Sequence, residues 1–369
     1  MSGDRYLNNL TPLRGIAALW VAAFHFYTLT GSLFKDQQFM LLEKGYLMVD
    51  LFFIMSGFII RHVYWNQFKN GVSRKALWQF VVARFARIYP LHFFTLVFLI
   101  LIAFVANQWN AVNEPSAIPI HILLLQSFGI INHHTWNVPS WSLSAEWSAY
   151  ILFPFLVLLL CRKERFGIST LAAFIVIGYL AIFFWLPARD VDRLIIEPLH
   201  NLDITFDYGF LRGLAGFVSG MLVYGLYGQA WVKSVFAKDW IGLVFASIIL
   251  VLMFKEESDL FLIPAFGGLT LCFASNNGYI HLICAKKTLQ FIGKVSYSIY
   301  LLQRIVLIYF SALIPSGGPG IIPFYQKIIF LGGYLICLTG IAAISYYGIE
   351  NPCRYYINRK YRIAGTTIG

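Results

Sequence analysis

Long apolar runs separated by short polar loops repeat along the chain from near residue 10 to residue 350. The runs at 13–31, 46–64, 88–106, 141–160, 168–186, 206–226, 239–254, 260–275, 293–313 and 324–350 each approach the ~20 residues that a helix needs to cross a bilayer. The pattern predicts an all-α, polytopic integral membrane protein of about ten transmembrane helices. A further run at 117–131, AIPIHILLLQSFGII, is short, and counting it as a crossing puts the basic stretch CRKER at 161–165 outside. It reads as a short interfacial or re-entrant helix. No polar interval is long enough for a second domain, so residues 1–369 read as one transmembrane domain. The first run lacks an A-x-A-like cleavage site and is followed by many similar runs, which makes it a retained span and not a signal peptide.

Composition agrees: 59% hydrophobic against 12% charged residues lies outside the soluble range. The net charge of +11 does not point to nucleic acid, because the basic residues sit in the short loops between apolar runs. With the N-terminus inside, 20 of the 28 basic residues, from Arg5 to Arg362, fall in inner segments. Both termini are therefore expected in the cytoplasm. Cys161, Cys272, Cys284, Cys337 and Cys353 show no CxxC spacing, so neither a disulfide framework nor a metal site is expected.

Ionisable residues inside the apolar runs change the picture from scaffold to site. His25 follows Arg14 by eleven residues, which returns to nearly the same helix face ~16 Å further along. Asp50 and Arg61 repeat the interval in the second run, in the opposite direction across the membrane. Two antiparallel neighbours then set His25 beside Asp50 and Arg14 near Arg61. Glu146 lies about five residues, or ~8 Å, below the outer edge, with Ser142 and Tyr150 on its face at i−4 and i+4. Arg212 falls in the same layer, which proposes a polar cluster of His25, Asp50, Glu146 and Arg212. The alternative is structural, with His25 donating to a backbone carbonyl and Asp50 pairing with Arg212 to hold two helices together. Each charge at mid-membrane costs about 2.5–3.5 kcal/mol on insertion scales, and four at one depth favour a site.

Toward the inner side, ARFARIYP at 83–90 places Arg84 and Arg87 at i, i+3 on one face, with Pro90 in the first turn of the third span. Guanidinium forks suit phosphate. The alternative for both is an ordinary positive-inside anchor.

These residues stand in motifs that resemble the bacterial membrane-bound acyltransferase-3 family, the O-acyltransferases of surface or exported glycans. The motifs are LRGIAALWVAAFH (13–25), GYLMVDLFFIMSGFII (45–60), RFARIYP (84–90), WSLSAEW (141–147), LRGLAGFVSGM (211–221), VSYSIYLLQ (295–303) and GIENP (348–352). The resemblance implies that His25 is the catalytic histidine and that Arg84 and Arg87 form the arginine pair associated with an acyl-CoA donor. Arg14, Asp50, Ser56, Gly57, Glu146 and Arg212 fall on further motif positions. Two departures are visible. The family often has histidine where Gln303 stands, and Glu-Gln-Phe after the motif glutamate where this chain has Trp147, Ser148 and Ala149.

The expected function is transfer of an acyl group, acetyl first, from cytoplasmic acyl-CoA to a saccharide or glycolipid hydroxyl of exopolysaccharide, lipopolysaccharide O-antigen or a related glycan. The expected location is the bacterial inner membrane. His25 acts as general base with Glu146 or Asp50 orienting it; Arg84, Arg87 and Arg14 hold the donor; Arg212, Ser142 or Tyr150 stabilises the oxyanion. No tightly bound cofactor and no metal is expected, and no appended periplasmic domain follows Glu350. A transporter for a glycan precursor or small anion is the alternative use of the same intramembrane charges. Trp109, Trp136, Trp141 and Trp147 crowd the outer side, where they form either a sugar-stacking surface or an interfacial belt.

Overall fold

The computed structural model describes residues 7–30, 40–110, 112–186, 200–314 and 323–361, and everything regular among them is helical. Arg5 and Arg362, used above for orientation, lie outside these residues. In chain order the α-helices of five or more residues are α1 (Leu10–Leu29), α2 (Met48–Phe68), α3 (Arg74–Val105), α4 (Ile118–Ile122), α5 (Trp141–Arg162), α6 (Glu164–Phe184) and α7 (Gly209–Tyr227). They continue as α8 (Ala230–Phe236), α9 (Asp239–Met253), α10 (Asp259–Ser275), α11 (Tyr279–Cys284), α12 (Lys287–Lys294), α13 (Ser296–Ser311), α14 (Phe324–Ser345) and α15 (Asn351–Lys360). A five-residue π-helical turn, Tyr346–Glu350, joins α14 to α15.

The protein is a multi-pass membrane protein, with six helices among the described residues long and apolar enough to cross a bilayer. The number rises to eight when α8 with α9, bent by 74°, and α12 with α13, bent by 64°, each count as one span. The expected count of ten is not reached on length and composition. Arg14 and His25 dilute the apolar character of α1, and α10 has only 17 residues. Still, α10 joins both ends of the bundle. At one end Asn9 Nδ2 donates to Phe273 O and Asn276 O at 3.0 Å each, and at the other Lys44 Nζ lies 3.2 Å from Asp259 Oδ1. Residues 117–131 form no helix long enough to cross, since α4 stops after five residues.

Small side chains let α1 occupy the interior. Its Leu13, Ala17 and Val21 join the core built by Ile54, Phe58, Phe153 and Phe217, while Ala18, Ala22 and Phe26 join a second core with Ile299, Leu302 and Val306 of α13 and Tyr334 of α14. Both faces of the helix that carries Arg14 and His25 are thus taken by protein. The aromatic and aliphatic residues Phe93, Phe94, Val97, Phe98 and Leu101 of α3 point outward instead, as lipid-facing residues do.

One expected boundary is wrong. The third span, expected from residue 88, begins at Arg74, where Ser73 Oγ accepts from Ala76 N at 3.2 Å as an N-cap. Nothing between 74 and 87 breaks a helix, so the polar stretch is helical too, and Pro90 lies inside α3 and not in its first turn. Arg84 and Arg87 are carried well into the bundle by this long helix.

The candidate site at the arginine-lined cavity

A cavity of about 130 Å³ opens where α1, α2, α3, α5 and α13 meet. Arg14, Ser56, Arg84, Arg87, Ser142, Glu146 and Tyr150 all line it, so seven of the eleven site residues expected from sequence share one space. Phe52, Phe53, Met55, Ile59, Leu143, Tyr297 and Tyr300 form its apolar and aromatic walls.

Glu146 is the acid of this cavity, and its partners come from two helices. Ser56 Oγ of α2 donates to Glu146 Oε1 at 2.7 Å, and Tyr150 Oη, one turn along α5, donates to the same oxygen at 2.5 Å. Arg84 Nη2 donates to Tyr64 Oη at 3.0 Å, and its guanidinium lies over the Tyr64 and Tyr150 rings at 5.1 and 5.8 Å. Its Nε is buried without a partner. Arg87 pairs through Nη1 with Glu350 Oε1 and lies 5.3 Å from the Tyr297 ring centroid. The arginines therefore do not form an inner-surface site separate from Glu146; they face the same cavity.

Asp50 and Arg212 are committed to each other. Arg212 Nη2 reaches Asp50 Oδ2 at 2.7 Å and Nε reaches both carboxylate oxygens at 3.2 Å, with both side chains fully buried. The rest of the guanidinium meets Asp203 Oδ1 at 3.4 Å and the carbonyls of Tyr46 at 3.0 Å and Ile204 at 3.3 Å. Neither residue lines the cavity. Gly57 does not line it either, and its reason is steric. A Cβ there would sit 1.8 Å from Phe217 O, and one on Gly220 would sit 1.9 Å from Ile54 O, so α2 and α7 touch backbone to backbone.

His25 stands apart from the acids with which spacing had grouped it. Its Nδ1 lies 3.1 Å from Val21 O, and because a carbonyl only accepts, Nδ1 carries the hydrogen. In the neutral ring, Nε2 then holds the lone pair. The groups that act on the ring are Arg304, His134 and Gln303; Asp50 and Glu146 are not among them. The expectation that His25 is oriented by Asp50 or Glu146 is thus corrected. Asp50 is occupied by Arg212, and Glu146 belongs to the cavity on the Arg14 side, while His25 lies ~16 Å further along α1. Arg61 likewise turns from Arg14 to α7, donating to Met221 O at 2.6 Å.

Sequence reasoning missed the residues that hold the arginines. Glu350 is 1% exposed, accepts from Arg87 and from Ser298 Oγ at 2.8 Å, and is placed by the π turn. An acid ending the last apolar run inside GIENP was the available signal. Gln303, fully buried and interacting with the His25 ring, was noticed only as a departure.

Three guanidiniums and one carboxylate in an apolar interior make a space that favours an anionic or strongly polar group. Comparison with known proteins is consistent with that chemistry. Acyltransferase MdmB of Streptomyces mycarofaciens is 33% identical over 165 residues, covering 40% of this chain and 38% of that protein. Peptidoglycan O-acetyltransferase OatA of Listeria monocytogenes is 22% identical over 95% of this chain and 56% of its own length. O-acetyltransferase OatA of Staphylococcus aureus is 23% identical over 96% of this chain and 58% of its own. The chain thus spans less than two thirds of the length of these relatives. No solved structure matches it. Residues 7–348 match the acyltransferase domain family, which covers the cavity, its arginines and His25 alike, and the chain belongs to that family.

Proposed function

We propose that the protein is a membrane O-acyltransferase that takes an acyl group, acetyl in the first instance, from cytoplasmic acyl-CoA and places it on a saccharide hydroxyl across a bacterial inner membrane. Both termini then lie in the cytoplasm, as the basic loops favour. The observation that carries this reading is the cavity in which Arg14, Arg84 and Arg87 face Glu146. The donor's phosphates suit these guanidiniums, and the ~16 Å from Arg14 to His25 suits its slender arm. Two of the relatives are named O-acetyltransferases, one of them of peptidoglycan, which supports acetyl as the group and a glycan as the acceptor class. Exopolysaccharide and lipopolysaccharide remain within that class.

In this mechanism His25 Nε2 accepts the proton of the acceptor hydroxyl while its oxygen attacks the thioester carbon. The Nδ1 hydrogen bond to Val21 O keeps the ring in the tautomer the step requires. Glu146, fixed by Ser56 and Tyr150, balances the guanidiniums of the donor cavity.

The test uses purified protein in nanodiscs. Calorimetry should show CoA binding, and a thiol assay should show CoA release from acetyl-CoA that His25→Ala lowers by ~10²–10⁴-fold. A transporter gives neither binding nor release, and that result overturns the proposal.

A further inference from the structure

Four polar side chains lie on the first two turns of α13, and three of them are bonded. Tyr297 Oη donates to Ile88 O, Ser298 Oγ donates to Glu350 Oε2 at 2.8 Å, and Tyr300 Oη donates to Pro139 O at 3.2 Å. Ser296 is the exception. It lines the arginine cavity and is 0% exposed, yet its Oγ has no hydrogen-bond partner among the described residues. Nor does it cap its own helix, because the N-cap position is held by Val295 with no side-chain bond. Alanine would fill the same volume without stranding a hydroxyl, so packing does not account for serine here.

The same turn is the positive end of a 16-residue helix. The chain bends by 64° between α12 and α13, and the bend is pressed against α1: a Cβ on Gly15 would sit 2.8 Å from Gly293 N, and one on Gly293 would sit 2.1 Å from Thr11 O. This backbone contact sets the start of α13 beside the stretch of α1 that carries Arg14. Ser296 thereby faces the space that Arg14, Arg84 and Arg87 also line. Arg84 supplies a second open hydrogen, since its Nε is buried without a partner among the described residues. The carboxylate on this wall answers neither group, because the Ser56 and Tyr150 hydroxyls hold Glu146 Oε1. An anion with several acceptor oxygens would satisfy the hydroxyl, the guanidinium and the helix end together.

We infer that Ser296 and the N-terminal turn of α13 form, with Arg84, a phosphate subsite of the cavity. A phosphate oxygen of acyl-CoA accepts from Ser296 Oγ–H and from Arg84 Nε–H, and the helix end stabilises its charge. This rests on the acyltransfer reading above and deepens it with a ligand contact from an uncharged residue. Ser296 makes and breaks no bond of the reaction, so its loss falls on KM and not on kcat.

The experiment compares wild type, Ser296→Ala, Ser296→Asp and Arg84→Gln in nanodiscs. CoA, dephospho-CoA and inorganic pyrophosphate are titrated by calorimetry, and thiol release from acetyl-CoA gives KM and kcat. The expected result for Ser296→Ala is CoA binding weaker by ~10- to 100-fold, as for loss of a hydrogen bond to a charged group, with KM raised and kcat within about twofold. Its Tm should stay level or rise, because a stranded hydroxyl has been removed. Ser296→Asp should bind more weakly still, since it sets a carboxylate against the phosphate. A loss that persists with dephospho-CoA assigns the diphosphate to the subsite, and a loss confined to CoA assigns the 3′-phosphate. A serine with only a structural role predicts unchanged affinity for all three probes, and that result overturns the inference. If Ser296→Ala binds CoA as wild type does while Arg84→Gln binds it weakly, only the role of Ser296 fails. If wild type binds pyrophosphate in a Ser296-dependent way but not CoA, the subsite stands and the acyl-CoA reading fails; if wild type binds none of the three, both fail.

Discussion

Arg212 and Asp50, 162 residues apart in sequence, close on each other with Nη2 2.7 Å from Oδ2 and no exposure of either side chain. A buried pair of this kind reports on assembly more than on chemistry. Removing one partner strands a charge and costs about 3–5 kcal/mol, whereas replacing both with apolar residues of similar volume is often neutral. Asp50→Leu and Arg212→Met should therefore each lower Tm and folded yield sharply, and the double variant should recover most of the loss. Thermal unfolding in detergent reads this directly. A single variant that keeps its Tm and loses only activity would place the pair in the reaction instead.

The shared cavity gives Arg84 and Glu146 opposite signs in donor binding. Arg84→Gln removes a charge-assisted contact of about 1.5–3 kcal/mol, so CoA should bind roughly ten- to hundredfold more weakly. Glu146→Gln removes the only carboxylate that lines the cavity among the described residues and should leave CoA binding equal or tighter, since the ligand is a polyanion. Calorimetry on both variants decides the matter. Weaker binding in the glutamate variant with none in the arginine variant means the donor lies elsewhere.

Contact between α2 and α7 backbones predicts a steric effect without a chemical one. Gly57→Ala or Gly220→Ala places a methyl far inside van der Waals contact distance of a carbonyl oxygen and should cost about 1–3 kcal/mol or more as the helices part. Gly332 on α14 has open space around its Cβ position, so Gly332→Ala should be neutral or stabilising by up to about 1 kcal/mol. Equal Tm changes in the two substitutions would refute the close approach.

Orientation is open to labelling from one side. Asp259 is unsuitable as a reporter because it is buried in its pair with Lys44, and Lys35 lies outside the described residues. Exposed Glu256 replaces them. With exposed Cys161 and Cys337 first removed, a cysteine at Glu256 should react with an impermeant maleimide from outside intact cells, and cysteines at exposed Lys75 and Arg359 should not. Reversed labelling would invert the direction of transfer proposed here.

Hydrophobic periodicity located the helices well, because a span of ~20 apolar residues has few other uses. It misplaced the start of α3, since hydropathy registers where lipid begins and not where a helix begins. Helix-face arithmetic correctly put Ser142 and Tyr150 in one space with Glu146 and put Asp50 on the interior. It failed for His25 and Asp50 because depth fixes only one coordinate, and which helix stands beside which is settled by packing. Here α7 takes Asp50 and α13 takes the neighbourhood of His25. Glu350 was invisible to the same arithmetic because its direction depends on a π turn, which shifts the phase of whatever follows it.

That turn makes the last span a rotational setting. A π turn is an α-helix carrying one surplus residue, and each residue of an α-helix advances the side chain by ~100°. Over the five residues Tyr346–Glu350 the wider winding lags regular α by about a quarter turn, so rewinding them as α with no residue removed would swing the carboxylate of Glu350 off Arg87. The guanidinium would then lose its anchor with every cavity residue still present. The chain thus stores the aim of a cavity arginine in the winding of five residues some 260 positions away.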